Sequence, residues 1–369
     1  MISILQIVRQ TARDFADPQL ALPFHECGLD SFDLLEIRVR LESETKQAIP
    51  DGQWFSFKSF QDIQNYFDDN GAAAVADSTA PSVTSRRTIA VNMPQMVLGG
   101  LSESWLFKEI GDIHWSMTCD ALQRESDKLT DELGNRLYAT FVRVRLESSA
   151  HLKKFRENER LEFQSRLSRF GRSMFFSDLT VAGEEKQIDV SLMTTFSLRQ
   201  TDNKSLLKGE PLIPAGCKAS VCDSLPRFAE EYRETRKGDK QELALAGEKF
   251  TLSKDLIFET TYAMNPYLDL NGVNLLYFAA YPMISDFCEL EFVENARPDL
   301  AVSRWPFKAS TVARDVYYYG NCDLADRIVF GVNSFALEAN GRCKIATSLF
   351  RESDRQLIAN IFTVKHVDE

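Results

Sequence analysis

The sequence lacks the features that define several common classes of protein. No stretch approaches the roughly 20 consecutive apolar residues of a membrane-spanning helix, and residues 1–6 show no basic region or apolar run of a signal peptide. The chain also has no phosphate-binding loop, dinucleotide fingerprint or Gly-x-Ser-x-Gly elbow. We therefore expect a cytoplasmic protein without membrane contact and disfavour kinase, dehydrogenase and elbow-type hydrolase activities.

Cysteine and histidine are too few and too scattered to indicate a disulfide framework or a zinc site. The seven cysteines include no Cys-x-x-Cys pair, and the four histidines, His25, His114, His151 and His366, lie far apart in the sequence. We expect reduced thiols and no metal. We interpret His114 as a core or capping residue rather than a catalytic one.

Basic residues are outnumbered, and the net charge of −11 argues against a nucleic-acid partner. The acidic excess is uneven. Residues 1–70 hold 12 acidic and 6 basic side chains, a net of −6, which leaves −5 for the other 299 residues. This distribution predicts a small acidic domain attached to a larger, nearly balanced one, with an acidic face suited to docking on basic surfaces.

Hydrophobic periodicity divides the chain into a helical region, a linker and a mixed region. Residues 1–70 repeat apolar positions at helical spacing. Residues 71–87 read GAAAVADSTAPSVTSRR and contain no aromatic residue, Leu or Ile, so we expect a flexible linker. After the linker, alternating strand patterns follow each of two long helical stretches.

A serine at a predicted helix start marks the helical region. The segment 28–36 reads GLDSFDLLE. At this position Ser31 can cap free backbone amides, and the helix dipole suits an attached phosphate. The acids Asp33, Glu36, Glu42 and Glu44 leave one helix face negative, while Leu34, Ile37 and Leu41 face the core. An ordinary helix cap with a solvated acidic face is the alternative interpretation.

The same segment resembles the phosphopantetheine attachment motif of acyl carrier proteins. The resemblance covers about 70 residues and implies that residues 1–70 form an acyl carrier domain. It further implies that Ser31 carries 4'-phosphopantetheine, added by a phosphopantetheinyl transferase.

A weak internal repeat appears when the chain is shifted by 172 residues. It aligns Gly100 with Gly272 and the pair Trp105-Leu106 with Tyr277-Phe278. A long helix followed by antiparallel strands, twice over, suggests two curved sheets each wrapped round a helix. Together with the resemblance below, this pattern predicts an α+β double hot-dog, with halves at residues 88–250 and 251–369.

Three segments of the mixed region resemble the LnmK-type acyltransferase/decarboxylase family. They are residues 93–115 (MPQMVLGGLSESWLFKEIGDIHW), residues 265–278 (NPYLDLNGVNLLYF) and residues 314–321 (RDVYYYGN). The resemblance implies a double hot-dog enzyme that takes a methylmalonyl group from acyl-coenzyme A, decarboxylates it and passes the propionyl group to a carrier protein.

The resemblance also implies a tyrosine nucleophile, and the best local match is Tyr138 within the segment RLYATF. On a strand Tyr138 shares its face with Thr140, Val142 and Val144, so we expect it to point inward. A phenol with a pKa of roughly 10 needs a neighbouring base or a stabilising field before it can attack. A half-buried structural tyrosine is the alternative interpretation.

Decarboxylation of a malonyl thioester leaves an enolate, whose oxygen needs fixed hydrogen-bond donors. Two glycine-containing pairs, Gly99-Gly100 and Asn271-Gly272, precede the long helical stretches, and a glycine there lets an oxygen approach the helix-start amides. Ser102, Glu103 and Asp269 are further candidate polar groups of the pocket. Tight turns and ordinary helix caps explain all of these residues equally well.

The sequence therefore leaves three hypotheses. The first is an enzyme that decarboxylates and loads an acyl group in a polyketide-type pathway, with acyl-coenzyme A and polyketide synthase or other carrier proteins as partners. The second is a hot-dog thioesterase or dehydratase, for which Asp269 or Glu103 would supply the carboxylate. The third is a non-catalytic carrier whose hot-dog region serves docking or dimerisation. Transfer to Ser31 of the same chain or to another carrier, and assembly as a homodimer, are left open.

Overall fold

A computed structural model describes residues 3–12, 15–29, 31–47, 49–69, 83–98, 100–199, 203–204, 206–300 and 304–368. Asp30, Gly99 and residues 71–82 of the predicted linker lie outside the described residues. The fold is α+β, as predicted, with a helical N-terminal region and a large antiparallel sheet. No helix within the described ranges is long and apolar enough to cross a membrane.

The N-terminal region is a small helical bundle. Its helices are α1 (Ile4–Thr11), α2 (Ser31–Thr45), α3 (Asp51–Trp54) and α4 (Phe60–Asp69), with short 3-10 turns at Asp17–Ala21 and Phe24–Glu26. Ser3 caps α1 by accepting a hydrogen bond from the Gln6 amide. Ile37 and Leu41 of α2 are fully buried in the bundle core, as the helical periodicity predicts.

The first half of the mixed region is built round the 20-residue helix α5. Its elements are β1 (Thr84–Ala90), β2 (Met96–Val97), β3 (Gly100–Leu101), α5 (Glu103–Leu122), β4 (Leu137–Ser148), β5 (Arg160–Phe170), β6 (Met174–Ala182), β7 (Gln187–Leu198), β8 (Leu207–Gly209), β9 (Ser220–Val221), α6 (Arg227–Lys237), β10 (Glu242–Leu245) and β11 (Glu248–Thr251). Strand β1 begins at Thr84, so residues 84–87, which we predicted to be linker, lie in the sheet.

The second half repeats this plan round the 17-residue helix α7. Its elements are β12 (Phe258–Ala263), α7 (Ala280–Ala296), α8 (Trp305–Lys308), β13 (Ala309–Tyr318), β14 (Arg327–Leu337), β15 (Arg342–Arg351) and β16 (Leu357–Val367). The two long helical stretches of the sequence are therefore α5 and α7, and the strand patterns at 137–144, 327–330 and 357–362 are confirmed.

One 12-stranded sheet runs through both halves. Its main path is β1-β5-β6-β7-β4-β13-β16-β15-β14-β12, and β4 joins the halves by pairing with β13. Val144 lies opposite Val316, and Arg143 donates to Asp315, residues that are 172 positions apart. The predicted repeat is therefore a structural one, with corresponding residues facing each other where the halves meet.

The sheet has an inner face that packs on α5 and α7 and an outer face that packs on α6 and α2. Leu137, Val144 and Leu146 belong to the inner core, whereas Val142 belongs to the outer cluster. A register shift between Phe141 and Arg143 causes this change of face. The shift corrects one expectation, because Tyr138 shares its face with Thr140 and Val142 but not with Val144.

Candidate active site

A cavity of about 590 Å³ lies where the two halves meet. The ladder between β4 and β13 ends at the pair Arg143–Tyr317. Beyond that pair, residues 138–142 of β4 and Tyr318, Tyr319 and Gly320 line the cavity. Its volume is typical of small-molecule sites.

Aromatic side chains from strand β4 and from the segment before helix α7 line the inner part of the cavity. The Phe141 and Phe278 rings stack with centroids 3.7 Å apart and an interplanar angle of 12°. A Cβ on Gly111 of α5 would lie 2.4 Å from the Phe278 ring, so only glycine lets this ring pack on the helix. Asp112 is the carboxylate of α5 that lines the cavity, and it accepts a 2.9 Å hydrogen bond from Arg87.

Tyr138 lines the cavity from strand β4. The side chain is half-buried, and the Arg136 guanidinium lies 4.9 Å from the ring centroid. Thr140, two residues along the same face, donates a 2.9 Å hydrogen bond to Ser197 of β7. The guanidinium therefore places positive charge beside the phenol ring.

Asn271 and Gly272 also line the cavity, but not at a helix start. Helix α7 begins at Ala280, so the predicted helix-start position of this pair is wrong. The Asn271 side chain holds a turn by accepting hydrogen bonds from the Val273 and Leu275 amides at 3.1 and 3.0 Å. A Cβ on Gly272 would meet no atom within 4 Å, so this backbone faces open space.

The other predicted site residues lie away from the residues that line the cavity. Ser102 caps α5 by accepting from the Trp105 amide, and Glu103 accepts a 2.7 Å hydrogen bond from buried Arg314. Asp269 is fully buried and accepts from the Tyr262 hydroxyl at 3.0 Å and the Asn265 amide at 2.6 Å. Burial raises the pKa of Asp269 despite these donors. The cavity brings together Tyr138, Asn271 and Gly272.

His114 is a buried core residue, as the sequence indicated. Its two ring nitrogens lie 2.7 Å from the Ser177 hydroxyl and 2.8 Å from the Thr194 hydroxyl. Burial lowers the pKa of His114 to about 3, so the ring is neutral at pH 7.

The carrier bundle forms part of the cavity wall. Ser31 is the first residue of α2, and Phe32 lines the cavity. The Phe32 ring packs against Tyr232 of α6 with centroids 5.4 Å apart, and Lys208 Nζ lies 4.9 Å from its centroid. Phe32 therefore places the start of α2 beside the cavity.

Ion pairs join the acidic face of α2 to the mixed region. Lys237 of α6 lies 2.6 Å from Asp33, and Arg233 lies 2.6 Å from Glu36. Both carboxylate side chains are less than 10% exposed, at 5% and 8%. One pair has the opposite polarity, because Arg38 of α2 lies 2.6 Å from Glu210. The acidic face predicted to dock on basic surfaces thus contacts such a surface within its own chain.

Helix α6 and its role are not apparent from the sequence. Its residues RFAEEYRETRK mix charges of both signs, which obscures the basic side chains at its C-terminal end. The signal that could have found it was the complementarity between this basic end and the acidic excess of residues 1–70.

Two histidines that lie far apart in the sequence are neighbours in the fold. The His151 and His366 rings stack with centroids 4.9 Å apart, although the residues are distant in sequence. Asp368 lies within 3.4 Å of His366, and the three side chains have geometry that could hold a metal ion. Burial lowers the pKa of His151, the charges of His366, Lys154 and Lys153 lower it further, and Asp368 opposes them.

Comparisons with known proteins agree with this architecture. The phosphopantetheine attachment site family matches residues 3–67, so the N-terminal bundle is an acyl carrier domain. A search of curated proteins finds no relative that matches the chain.

Two solved structures share the fold of the mixed region. One is a protein assigned as an oleoyl thioesterase from Lactobacillus plantarum, with a TM-score of 0.53 and 10% identity over 78% of this chain and 96% of that one. The other is a 12:0-ACP thioesterase from Umbellularia californica, with a TM-score of 0.50 and 10% identity over 77% and 94% of the two chains. The mixed region therefore has a hot-dog fold, and the chain joins that fold to a carrier domain.

Proposed function

We propose that this chain is an acyltransferase/decarboxylase. It takes a malonyl-type group, with methylmalonyl as the expected member, from coenzyme A and loads the decarboxylated acyl group on a carrier. The observation that carries the proposal is that the carrier domain and the mixed region line the same cavity. Phe32 of the carrier domain lines the same cavity as Tyr138, Asn271 and Gly272. A carrier held at the cavity suits an enzyme whose acyl group begins or ends on that carrier.

The chain's residues fit a phosphopantetheine group at Ser31. Ser31 begins α2, and a helix start favours an attached phosphate through its amides and dipole. Lys208 and Arg236 line the cavity together with Phe32 and supply positive charge for phosphate or carboxylate groups. When attached, this group supplies the thiol that bears the acyl chain as a thioester.

Tyr138 is the proposed acyl acceptor. Its phenolic oxygen attacks the thioester carbon, the bond from carbon to sulfur breaks, and coenzyme A leaves as the thiolate, which takes up the phenolic proton. Arg136 lies over the ring and stabilises negative charge on the phenol during the attack. Asp112 of α5 accepts a hydrogen bond from Arg87 and supplies a carboxylate on the cavity wall.

The loop at Gly272 is the proposed site for the thioester oxygen. Before the attack by Tyr138, loss of carbon dioxide from the malonyl thioester places negative charge on this oxygen as an enolate, which then takes a proton at carbon to give the propionyl thioester. After the propionyl group has moved to Tyr138, its ester carbon is attacked by the carrier thiol, the bond to the phenolic oxygen breaks, and the thiol proton returns to that oxygen. The open space beside Gly272 lets an oxygen approach the backbone closely. Asn271 holds the turn rigid through two hydrogen bonds, which keeps the backbone groups in place.

Hydrolysis is the second candidate function. Both structural neighbours are thioesterases by description, one of them acting on 12:0-ACP. Asp112 favours this candidate, because a carboxylate on the helix of a cavity can activate water. Asp112 is, however, engaged in an ion pair with Arg87, and its side chain is largely exposed (59%).

Intact-protein mass spectrometry separates the two functions. Pantetheinylated protein incubated with methylmalonyl-coenzyme A gains a propionyl group if it decarboxylates and transfers. It gains no acyl group, and releases methylmalonate, if it only hydrolyses. Tyr138→Phe is expected to lose propionyl loading. Tyr267→Phe, which removes a phenol that is 93% exposed, is the control.

A further inference from the structure

The carrier domain and helix α6 meet through charges of opposite sign at the edge of the cavity. Asp33 and Glu36 on α2 pair with Lys237 and Arg233 on α6. These carboxylates are buried in the contact, so they have exchanged water for specific partners rather than merely facing a basic surface. Buried, paired charges fix the orientation of two surfaces more strictly than apolar contact does.

Apolar contacts surround these ion pairs. Phe32 is buried in the outer cluster with Tyr232, and Leu35 and Val39 pack against the same cluster. A Cβ on Gly171 would lie 2.8 Å from Val39, so the turn after β5 approaches α2 as closely as glycine allows. On the far side, Arg38 has a side chain that is 2% exposed and pairs with Glu210. The contact therefore has an apolar centre with charged pairs around it.

Helix α6 is itself fixed to the cavity. The Tyr232 hydroxyl donates a 2.9 Å hydrogen bond to the Tyr318 carbonyl, and Tyr232 stacks on Tyr317 with centroids 5.9 Å apart. Tyr318 and Tyr319 lie at the end of β13, where the ladder with β4 has already ended. The docking helix thus forms one side of the opening in the sheet, and the start of α2 lies against it.

We infer that this contact is a docking site for the chain's own carrier, so that the acyl group handled in the cavity is the one attached at Ser31 of the same chain. The inference rests on the proposed acyl transfer and names the carrier that receives the acyl group as the one in the same chain. The outer face at α6 positions the carrier, and the opening between β4 and β13 leads from the docked helix start to the aromatic cavity. Residues that dock the carrier are Arg233 and Lys237, which act as positioning residues.

A pantetheine group that carries an environment-sensitive fluorophore tests the inference without catalytic turnover. A phosphopantetheinyl transferase attaches dansyl-pantetheine at Ser31 from its coenzyme A derivative, and the emission wavelength is measured. We expect blue-shifted emission in the wild type, because the probe lies in the aromatic cavity. The emission should not change with protein concentration from about 0.5 to 50 μM, since a tethered group has an effective concentration of order millimolar.

Charge reversal supplies the specific controls. Arg233→Glu with Lys237→Glu should shift the emission towards its value in water, and the further changes Asp33→Lys and Glu36→Lys should restore the blue shift. Arg227→Glu is the matched control on α6, because Arg227 pairs with Glu230, Glu231 and Glu234 of the same helix. Restoration by the swapped charges distinguishes undocking from unfolding.

A mixture distinguishes a chain's own cavity from that of another copy. The dansyl-labelled Arg233→Glu/Lys237→Glu chain is mixed with the Ser31→Ala chain, whose α6 is intact. At about 1 μM we expect little recovery of the blue shift, because docking between chains lacks the millimolar effective concentration of the tether and the acceptor's own carrier domain competes for α6. Water-like emission of the wild type, insensitivity to charge reversal, or full recovery in the mixture would overturn the inference. Because the probe carries no reactive acyl group, a failure of the proposed function alone would leave these results unchanged.

Discussion

The two halves of the repeat build the same location in different ways. The start of α5 lies near the middle of α7, and the segment that leads into α7 lies near the middle of α5. The offset of 172 residues that relates Arg143 to Asp315 also relates His114 to Asp286 and Met117 to Glu289. In the first half this location lies beside the stacked Phe141 and Phe278 rings that line the cavity, whereas in the second half it is filled by charges.

The charged location contains five ionisable residues in contact. Arg314 lies 2.7 Å from Glu103 and 2.8 Å from Asp286, and Lys365 lies 2.7 Å from Glu289. Burial disfavours the charged form of Arg314, yet Asp286 and Glu103 raise the pKa of Arg314 above its ordinary value. The same opposition between burial and the neighbouring carboxylates raises the pKa of Lys365. Both cations therefore remain charged inside the protein.

One side of the repeat is closed by ion pairs and contributes to stability, whereas the other side is open and forms the candidate site. A duplicated fold creates two equivalent spaces between its helices, and this chain uses ion pairs to close one of them. The other is lined by stacked rings and glycine, and it accepts the carrier domain at its edge. Glu103, a candidate catalytic residue by sequence, lies on the closed side, while Tyr138 lies on the open side.

Removing a cation from the closed, charged side of the repeat should have the largest effect on the free energy of unfolding. Arg314→Met leaves the largely buried Glu103 without its cation and leaves Asp286 with Lys365 alone, so the free energy of unfolding should fall by about 3–5 kcal/mol. Arg136→Met on the open side, an exposed position, should change it by less than about 0.5 kcal/mol. Urea denaturation measures both. Similar small losses in the two variants would contradict the assignment of stability to the charged side.

A change on the open side should instead affect activity. Tyr138→Phe keeps the ring and its contact with Arg136, and we expect the barrier to acyl transfer to rise by about 2–4 kcal/mol with little change in stability. The repeat-related position is Ser310, which accepts a 3.1 Å hydrogen bond from the Lys153 amide. Ser310→Ala should cost about 1 kcal/mol of stability and leave transfer unchanged. Equal transfer by wild type and Tyr138→Phe would make Tyr138 a structural residue.

Local patterns predicted the elements of this fold well. The carrier motif, the two long helices and the strands after them follow from hydrophobic period and turn signals, which depend on neighbours in sequence. The repeat was also visible, because paired motifs such as Trp105-Leu106 and Tyr277-Phe278 keep their spacing.

What the sequence could not provide depends on contacts between distant residues. The register shift after Phe141, which moves Val144 to the opposite face, is set by the pairing of β4 with β7. Helix α7 begins only at Ala280, after the turn that Asn271 holds. The glycine at position 272 instead predicts an earlier helix start. The pairing of Asp33 with Lys237 joins residues more than 200 positions apart, and no local pattern encodes it.

The pH dependence of the free energy of unfolding gives a third prediction, of intermediate size, about His114. His114 stands where the other half has Asp286, and its pKa falls from about 6.5 in the unfolded chain to about 3 when folded. The unfolded state thus binds more protons between these values, and stability falls as pH falls below 6.5. From pH 7 to pH 5 the loss from this residue should be about 2 kcal/mol.

The control for this prediction is His114→Gln. Glutamine keeps a donor and an acceptor for Ser177 and Thr194 but does not titrate, so the pH slope of the unfolding free energy should be shallower in this variant. Chemical denaturation at several pH values gives the slopes. An unchanged slope would show that other groups cause the acid sensitivity.

The smallest effects should come from two glycines that the repeat relates, Gly100 and Gly272. A Cβ on Gly100 would lie 2.6 Å from the Lys153 Cα, and backbone must move to admit it, so Gly100→Ala should cost about 1–3 kcal/mol of stability. A Cβ on Gly272 meets nothing within 4 Å, so Gly272→Ala should stay within about 0.5 kcal/mol of the wild type. Gly272→Val should likewise fold normally but slow propionyl loading, because its side chain projects into the space proposed for the thioester oxygen. Full propionyl loading by a stable Gly272→Val protein would show that the thioester oxygen does not bind at the Asn271 turn. The assignment of the cavity to the open side of the repeat would be unaffected.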